Sequence, residues 1–224
     1  MKYFAKRSGL IVSLLLAPLA HASVDTCHIL CDVEWLAQVD EVELRDVLDS
    51  KAESEIKGRD EYDWTPLHLA ARWGKPEVIE VLVNAGASLE AITEFNGQTP
   101  LHSAVGSGKV ENIEALILAG ANIESRCIKG GTPLHWAAQF GSVRIVQKLI
   151  DEGAMLEARD RNGYTPLHWA AKKGMPAKLR VLIAAGADIK ARTIHGMVPA
   201  DFADGNPLIQ GSDVYWILHD ARFN

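Results

Sequence analysis

The sequence GGTPLHWAA, residues 130–138, decides the fold because its central Thr-Pro-Leu-His motif occurs four times in the chain. The copies begin at Thr65, Thr99, Thr132 and Thr165, so successive copies are 34, 33 and 33 residues apart. A degenerate fifth copy, Val-Pro-Ala-Asp, begins 33 residues later at Val198. A fixed period of this length is the signature of a repeat array in which each unit packs on its neighbours.

Two glycine markers keep the same period. One glycine follows each motif at a constant distance, and a Gly-Ala pair follows further along the chain. The single glycines are Gly74, Gly108, Gly141 and Gly174, and the pairs begin at Gly86, Gly120, Gly153 and Gly186. We interpret the motif threonine as an N-cap, the proline as the first helical residue, and the single glycine as a left-handed helix end. Each unit is therefore predicted to hold two short helices, the second closed by the Gly-Ala pair.

This pattern resembles that of the ankyrin-repeat family, in the exported bacterial type. The family pattern of Asp-x-x-Gly-x-Thr-Pro-Leu-His-x-Ala-Ala, with a later Leu-Leu-x-x-Gly-Ala, is matched most fully by residues 160–187. The resemblance covers about residues 59–222. It implies an all-α repeat fold, an ankyrin solenoid of stacked helix-turn-helix units whose β-hairpin-like loops project at right angles and form a concave face.

The period and the composition divide the chain into seven segments. The predicted segments are a signal peptide at 1–22, a degenerate N-terminal capping helical pair at 23–58, repeat 1 at 59–91, repeat 2 at 92–125, repeat 3 at 126–158, repeat 4 at 159–191, and a degenerate C-terminal capping repeat at 192–224. Several positions inside the repeats depart from the family pattern: one extra residue lies between Leu89 and Thr99, and Cys127 takes the place of the hairpin aspartate. Asp63 takes the place of a turn glycine, and Gly106 places a glycine inside a short helix at a cost of about 1 kcal/mol relative to alanine.

The first 22 residues are typical of a signal peptide. A basic start at residues 2–7 is followed by an apolar run at 10–16 and by Ala-His-Ala at 20–22, which predicts cleavage before Ser23. The run is too short to span a bilayer comfortably, so a retained anchor is the weaker interpretation, and a lipoprotein weaker still. We expect an exported protein, periplasmic or secreted, with no integral membrane span after cleavage. Loss of the three basic residues would take the formal net charge from −6 to −9, which disfavours binding to nucleic acid.

Export would place three cysteines in an oxidising compartment. Cys27 and Cys31 are four residues apart, on one face if their segment is helical, and could be bridged with some strain. Cys127 would then be unpaired. Two buried reduced cysteines fit the sequence as well.

The motif histidines are predicted to have a structural role and not to bind a metal ion. Repeats stack about 10 Å apart, whereas zinc needs ligand nitrogens within about 2.1 Å, so one histidine per repeat cannot converge on a metal ion. The resemblance implies that each histidine bonds backbone groups of the adjoining loop. These structural motif residues are Thr65, His68, Thr99, His102, Thr132, His135, Thr165 and His168. No familiar catalytic motif is present, so we expect no enzyme, metal or cofactor. A thiol or metal-dependent activity at Cys127 is the minor alternative.

The positions that vary between copies are the candidate binding residues. In the family the hairpin tips, the residue before the motif threonine and the two residues after the alanine pair face the concave side. Carried over to this chain, they are Tyr62, Trp64, Arg72, Trp73, Phe95, Gln98, Ile128, Lys129, Gln139, Phe140, Arg161, Tyr164, Lys172, Lys173, Ile194 and Met197. This set is rich in aromatic residues and arginine, which are enriched at binding hot spots. The sequence thus favours a monomeric, non-catalytic scaffold that binds a protein partner. A structural or stress-protective envelope protein without a dedicated partner is the alternative.

Overall fold

The computed structural model describes residues 29–49 and 53–223, and within these ranges it contains only helices, turns and loops. A 3-10 helix, Ile29–Cys31, precedes thirteen α-helices in this part of the chain. The α-helices are α1 Val33–Gln38, α2 Glu41–Asp49, α3 Glu53–Ile56, α4 Pro66–Trp73, α5 Pro76–Asn84, α6 Pro100–Ser107, α7 Val110–Leu118, α8 Pro133–Phe140, α9 Val143–Asp151, α10 Pro166–Lys172, α11 Pro176–Ala184, α12 Pro199–Ala203 and α13 Asp213–Phe223.

The helices form two parallel rows. The inner row consists of the helices that start at the motif proline, namely α4, α6, α8, α10 and α12, and each of them packs on the next. The outer row of α5, α7, α9, α11 and α13 does the same. At the N-terminal end, α1 packs on α4 and α2 packs on α5. The predicted all-α solenoid of stacked helix pairs is confirmed.

The inner helices begin where the sequence predicts because the motif supplies its own cap. Thr132 is the N-cap of α8 and Pro133 is its first residue. The backbone N–H of Thr132 donates to Nδ1 of His135 at 3.1 Å, and the same geometry recurs in the other three complete motifs. A histidine thus takes the part that Glu or Gln plays in a standard capping box.

The glycine after each inner helix has two different roles. Gly108 and Gly174 adopt the predicted left-handed conformation, with φ of 81° and 68°. For Gly74 and Gly141 the prediction was wrong, because both have extended backbone. Glycine is required there for space: a Cβ on Gly74 would lie 2.7 Å from the carbonyl oxygen of Ala70. The Gly-Ala glycines, which close the second helices, all have positive φ.

One hydrophobic core runs through all the repeats. The motif leucine is completely buried in each of the four full copies and belongs to this core. The motif leucines are Leu67, Leu101, Leu134 and Leu167. Removing one such side chain typically costs 2–5 kcal/mol, so each repeat depends on its own leucine and on the repeats beside it.

Two buried polar side chains tie neighbouring repeats together. Nδ2 of Asn112 on α7 donates to the carbonyl of Ala71 at 3.0 Å, at the end of α4. Nζ of Lys178 on α11 donates to the carbonyls of Ala137 and Ala138 at 3.1 and 3.0 Å, at the end of α8. Helix C-termini leave carbonyls without intrahelical partners, and here the next repeat supplies the donors. Burial lowers the pKa of Lys178.

The cysteines are in two different states. Cys31 takes part in a disulfide bond, whereas Cys127 is a free, buried thiol. Cys27 and the predicted signal peptide lie outside the described residues, so the Cys27–Cys31 pairing and the cleavage site stay predictions. Within residues 29–49 and 53–223, none of the helices has the length and apolar character that crossing a membrane requires.

Candidate protein-binding surface

The predicted hairpins are present and are joined tip to tip. In each hairpin, a backbone N–H bonds to the carbonyl of the residue before the motif, as in Asp160 to Tyr164 at 3.0 Å. Neighbouring tips are bonded through Ile128 N–H to Asn96, Arg161 N–H to Lys129 and Ile194 N–H to Asn162, at distances of 2.9–3.1 Å. The tips therefore form a continuous ledge beside the ends of the inner helices, which fixes the spacing of the side chains they carry.

Asp63 shows how the first hairpin manages without a turn glycine. Its φ is 65°, in the left-handed region that glycine normally occupies. Nη1 of Arg59 donates to the carbonyl of Asp63 at 2.9 Å and to its carboxylate at 2.8 Å. A salt bridge and a backbone bond thus hold the residue in an unfavourable conformation.

Most of the sequence-predicted binding residues are accessible on this ledge or at the helix ends. Phe95 is 87% exposed, Tyr62 70%, Ile194 65% and Phe140 57%. Trp73, Ile128, Lys129, Arg161, Lys172 and Lys173 are also exposed, while Trp64, Arg72, Gln139, Tyr164 and Met197 are half-buried. Gln98 departs from the expectation because it is only 5% exposed. Its carbonyl accepts a bond from His68 inside the stack, so we leave Gln98 out of the surface.

The motif histidines lie behind this surface and link each repeat to the next. Since a backbone N–H can only donate, Nδ1 of each ring is the acceptor and the proton is on Nε2. Nε2 of His68 donates to the carbonyl of Gln98 at 2.9 Å, and Nε2 of His102 donates to that of Gly131 at 3.2 Å. His135 and His168 donate in the same way to the following repeats. Both ring nitrogens are thus occupied, as the structural interpretation requires.

Burial also holds these rings neutral. It lowers the pKa of His68 and of His102 from 6.5 to about 4. Desolvation also lowers the pKa of His135 and that of His168. The described residues contain no group of three or more histidine, cysteine or carboxylate side chains placed to hold a metal ion.

Aromatic rings and cations alternate along the ledge in two clusters. In repeat 1 the guanidinium of Arg72 lies 5.6 Å from the ring centroid of Trp64 and 5.1 Å from that of Trp73. We call this the N-terminal cluster. Cation–π contacts at such distances are worth about 0.5–1 kcal/mol at exposed sites, so they favour a position of Arg72 over the rings without fixing it there.

The second cluster belongs to repeat 4 and the last repeat. Tyr164 packs on Trp169 and Phe202, with both ring centroids 5.3 Å away. The ammonium of Lys172 lies 5.1–5.9 Å from all three rings. We call Tyr164, Trp169, Phe202 and Lys172 the C-terminal cluster. A similar contact places Lys173 5.6 Å from the ring of Phe140.

Between the two clusters lies a cleft of about 190 Å³. We call it the central cleft. Its lining comes from two hairpin tips and two inner helices, and includes Phe95, Ile128, Trp136, Phe140 and Trp169. The free thiol of Cys127 lines it as well but is only 7% exposed.

The family comparison agrees with this geometry. The family model described as "Ankyrin repeats (3 copies)" matches residues 11–127 and 113–193, which together make up most of the chain. The chain belongs to the ankyrin-repeat family. No curated protein matches it. Ankyrin repeats are protein–protein interaction modules, and in this chain the hairpin ledge and the inner-helix ends carry the aromatic and cationic residues described above.

Sequence reasoning missed part of this ankyrin surface. Trp136 and Trp169 are not among the predicted binding residues, yet both line the central cleft. Phe202 was not considered, although it follows Val198 by the same four residues that separate Trp169 from Thr165. Aligning the degenerate fifth copy position by position would have found it.

Proposed function

We propose that this ankyrin protein is a non-catalytic interaction scaffold that binds a protein partner through its concave surface in the bacterial cell envelope. The observation that carries the proposal is the row of exposed aromatic and cationic side chains on the hairpin ledge and the inner-helix ends. A structural protein without a partner has no need for such a row, because exposed apolar surface of this kind invites association.

The surface is suited to binding because it is already ordered. The tips are bonded to one another, and the cations lie over aromatic rings in both clusters. Ordering a flexible side chain on association costs about 0.5–1.5 kcal/mol. A preformed surface avoids much of that cost, so more of the contact energy appears as affinity.

The envelope location is the second part of the proposal. It is supported by the signal-peptide pattern of residues 1–22 and by the disulfide at Cys31, since disulfides persist in oxidising compartments. Fusing residues 1–28 to a reporter that folds only after export tests it. Reporter activity in the periplasm is expected, and activity confined to the cytoplasm would contradict this part alone.

The binding proposal is tested by removing three large side chains from the ledge and the helix ends. A Trp73→Ala, Phe140→Ala and Tyr164→Ala variant, used as affinity bait in native envelope extract, should lose the partner that the unaltered protein captures. Loss of hot-spot side chains typically costs 2 kcal/mol or more each. Circular dichroism should show unchanged helix content.

A matched control removes exposed apolar side chains elsewhere. Val42, Leu118 and Met155 are 63–80% exposed and belong to neither cluster nor to the central cleft. Their triple alanine variant should capture the partner normally. Undiminished capture by the first variant would show that the wrong surface was chosen, and no specific capture by the unaltered protein would favour a structural envelope role.

A further inference from the structure

We infer that the central cleft is the anchor site for an acidic segment of the protein partner, which inserts one large apolar side chain beside Gly131. This inference rests on the proposed function and specifies the chemistry of the partner at that surface. It follows from the shape of the cleft, its volume and the charges around it.

The cleft exists because one side chain of the repeat pattern is missing. The residue before the motif is large in the other copies, namely Trp64, Gln98, Tyr164 and Met197. In repeat 3 it is Gly131. Five residues before the motif, Cys127 replaces the aspartate found in repeats 1 and 4, so a neutral thiol lines the cleft where those repeats carry a carboxylate.

The backbone does not require glycine at this position. Gly131 is not among the glycines with positive φ. A Cβ built on Gly131 would meet Cβ of His135 at 3.5 Å, Sγ of Cys127 at 3.6 Å and Cδ1 of Trp136 at 3.8 Å, which are ordinary van der Waals contacts. A Cβ would therefore fit, and the absence of a larger side chain leaves the recess beside Gly131 open to another molecule.

The volume favours a single side chain over a small-molecule cofactor. Pockets for drug-sized ligands and cofactors usually measure about 300–1,000 Å³. A protein cavity of about 150 Å³ is large enough to admit benzene. The central cleft, at about 190 Å³, therefore matches one aromatic or large aliphatic side chain, and its aromatic lining provides the contacts that such an anchor needs.

The charges around the cleft favour an acidic segment. Lys129 lines the cleft, Arg161 follows on the next hairpin tip, and Lys173 lies over Phe140. None of these three cations, nor Lys172, has a carboxylate partner within 4.0 Å in the described ranges. This is a local excess of positive charge on a chain whose formal net charge is −6, and complementary charge directs both encounter and register.

The acidic groups nearby do not cancel this excess. Asp160 lines the cleft, but it is 8% exposed and accepts bonds from two backbone N–H groups and the Trp169 indole. The exposed Glu61 and Glu94 belong to the hairpins of the first two repeats. The ledge thus changes from acidic to basic along its length, which places the acidic residues of the partner over repeats 3 and 4.

Fluorescence anisotropy with a synthetic probe tests the inference. The probe is a fluorescein-labelled peptide of aspartate and glutamate residues with one central phenylalanine. It should bind the full chain, and replacing its phenylalanine by glycine, or its acids by the corresponding amides, should each weaken binding by about tenfold or more. Binding should also weaken as salt is raised. Equal binding of the amide peptide would overturn the acidic part of the inference.

Two test variants, each with a matched control, locate the binding site. Gly131→Tyr fills the cleft with the side chain that repeat 4 carries at the same position, and it should reduce probe affinity by about tenfold or more. Gly205→Tyr makes the same change at an exposed glycine outside the cleft, where an added Cβ meets nothing within 4 Å, and should bind the probe normally. Lys129→Glu with Arg161→Glu should also abolish binding, whereas Arg144→Glu with Lys190→Glu, an equal change of charge at exposed positions away from the cleft, should not.

Native capture separates this inference from the proposed function. If Gly131→Tyr captures the envelope partner normally while the Trp73, Phe140 and Tyr164 variant fails, the anchor-site inference is wrong and concave-face binding stands. If both variants capture it normally, both proposals are wrong. Loss of capture in both, with helix content unchanged, supports both.

Discussion

Mild acid should destabilise this protein through its histidine ladder, and His102→Gln measures the effect. In the folded protein both ring nitrogens of His102 are already engaged, Nδ1 by the donors of Thr99 and Nε2 by the carbonyl of Gly131. Adding a proton to Nδ1 would set two donors against each other in a buried site. This conflict, together with burial, explains why the pKa of His102 is lowered from 6.5 to about 4.

The magnitude follows from proton linkage. Because the pKa is lower in the folded state, the unfolded chain binds more protons between about pH 6.5 and pH 4, so the free energy of unfolding falls as pH is lowered through that window. A pKa of about 4 in the folded state gives a loss of about 2 kcal/mol at pH 5 and about 3 kcal/mol below pH 4. His68 has a pKa of about 4 as well and adds a similar loss.

The assay is urea unfolding followed by circular dichroism, for the unaltered protein and His102→Gln, at about pH 8 and about pH 5. Glutamine keeps a donor for the Gly131 carbonyl but does not titrate. At about pH 8 the variant should be less stable, because the cap is impaired. By about pH 5 the difference in free energy of unfolding between the two proteins should shrink by about 2 kcal/mol. A gap that is the same at both pH values would refute the assignment of a neutral, acid-sensitive ladder.

Three further substitutions test the packing account by the same unfolding assay. Gly106→Ala should stabilise the protein by up to about 1 kcal/mol, because the added Cβ meets only the movable guanidinium of Arg72; a loss of stability would show that Arg72 cannot move. Leu134→Ala should destabilise it by about 2–5 kcal/mol, and a cost below 1 kcal/mol would contradict its complete burial. Lys178→Ala should cost about 1–3 kcal/mol, since the carbonyl of Ala138 loses the ammonium donor; no change would mean that water replaces the lysine at no cost.

The fold could be predicted from the sequence because every full repeat carries the same residues at the positions that start and pack its first helix. A threonine cap, a proline at the first helical position and a buried leucine recur in one phase, so an error at one copy is corrected by the others. The prediction was wrong where one residue type serves two purposes. Gly108 adopts a left-handed conformation, whereas Gly74 leaves space for the carbonyl of Ala70. The sequence shows a glycine in both places and does not distinguish the two roles.

The candidate site was less predictable because it depends on contacts between repeats. Most residues at the family's binding positions are exposed or half-buried, but position alone could not show that Gln98 is buried while Phe95 is exposed. The central cleft lies beside Gly131, where the other repeats carry a larger residue. The repeat pattern shows only that this position varies between copies. Asn112 and Lys178 read as ordinary polar residues on outer helices, and only the stacked structure shows the carbonyls they bind.

Site-specific photocrosslinking in the native host tests the central claim most directly. Benzoylphenylalanine placed at Phe140, beside the central cleft, should crosslink one defined partner that mass spectrometry can identify. The same group placed at Leu118, which is 80% exposed on α7, should give no such product. A partner crosslinked from Leu118 and not from Phe140 would contradict binding through the concave surface.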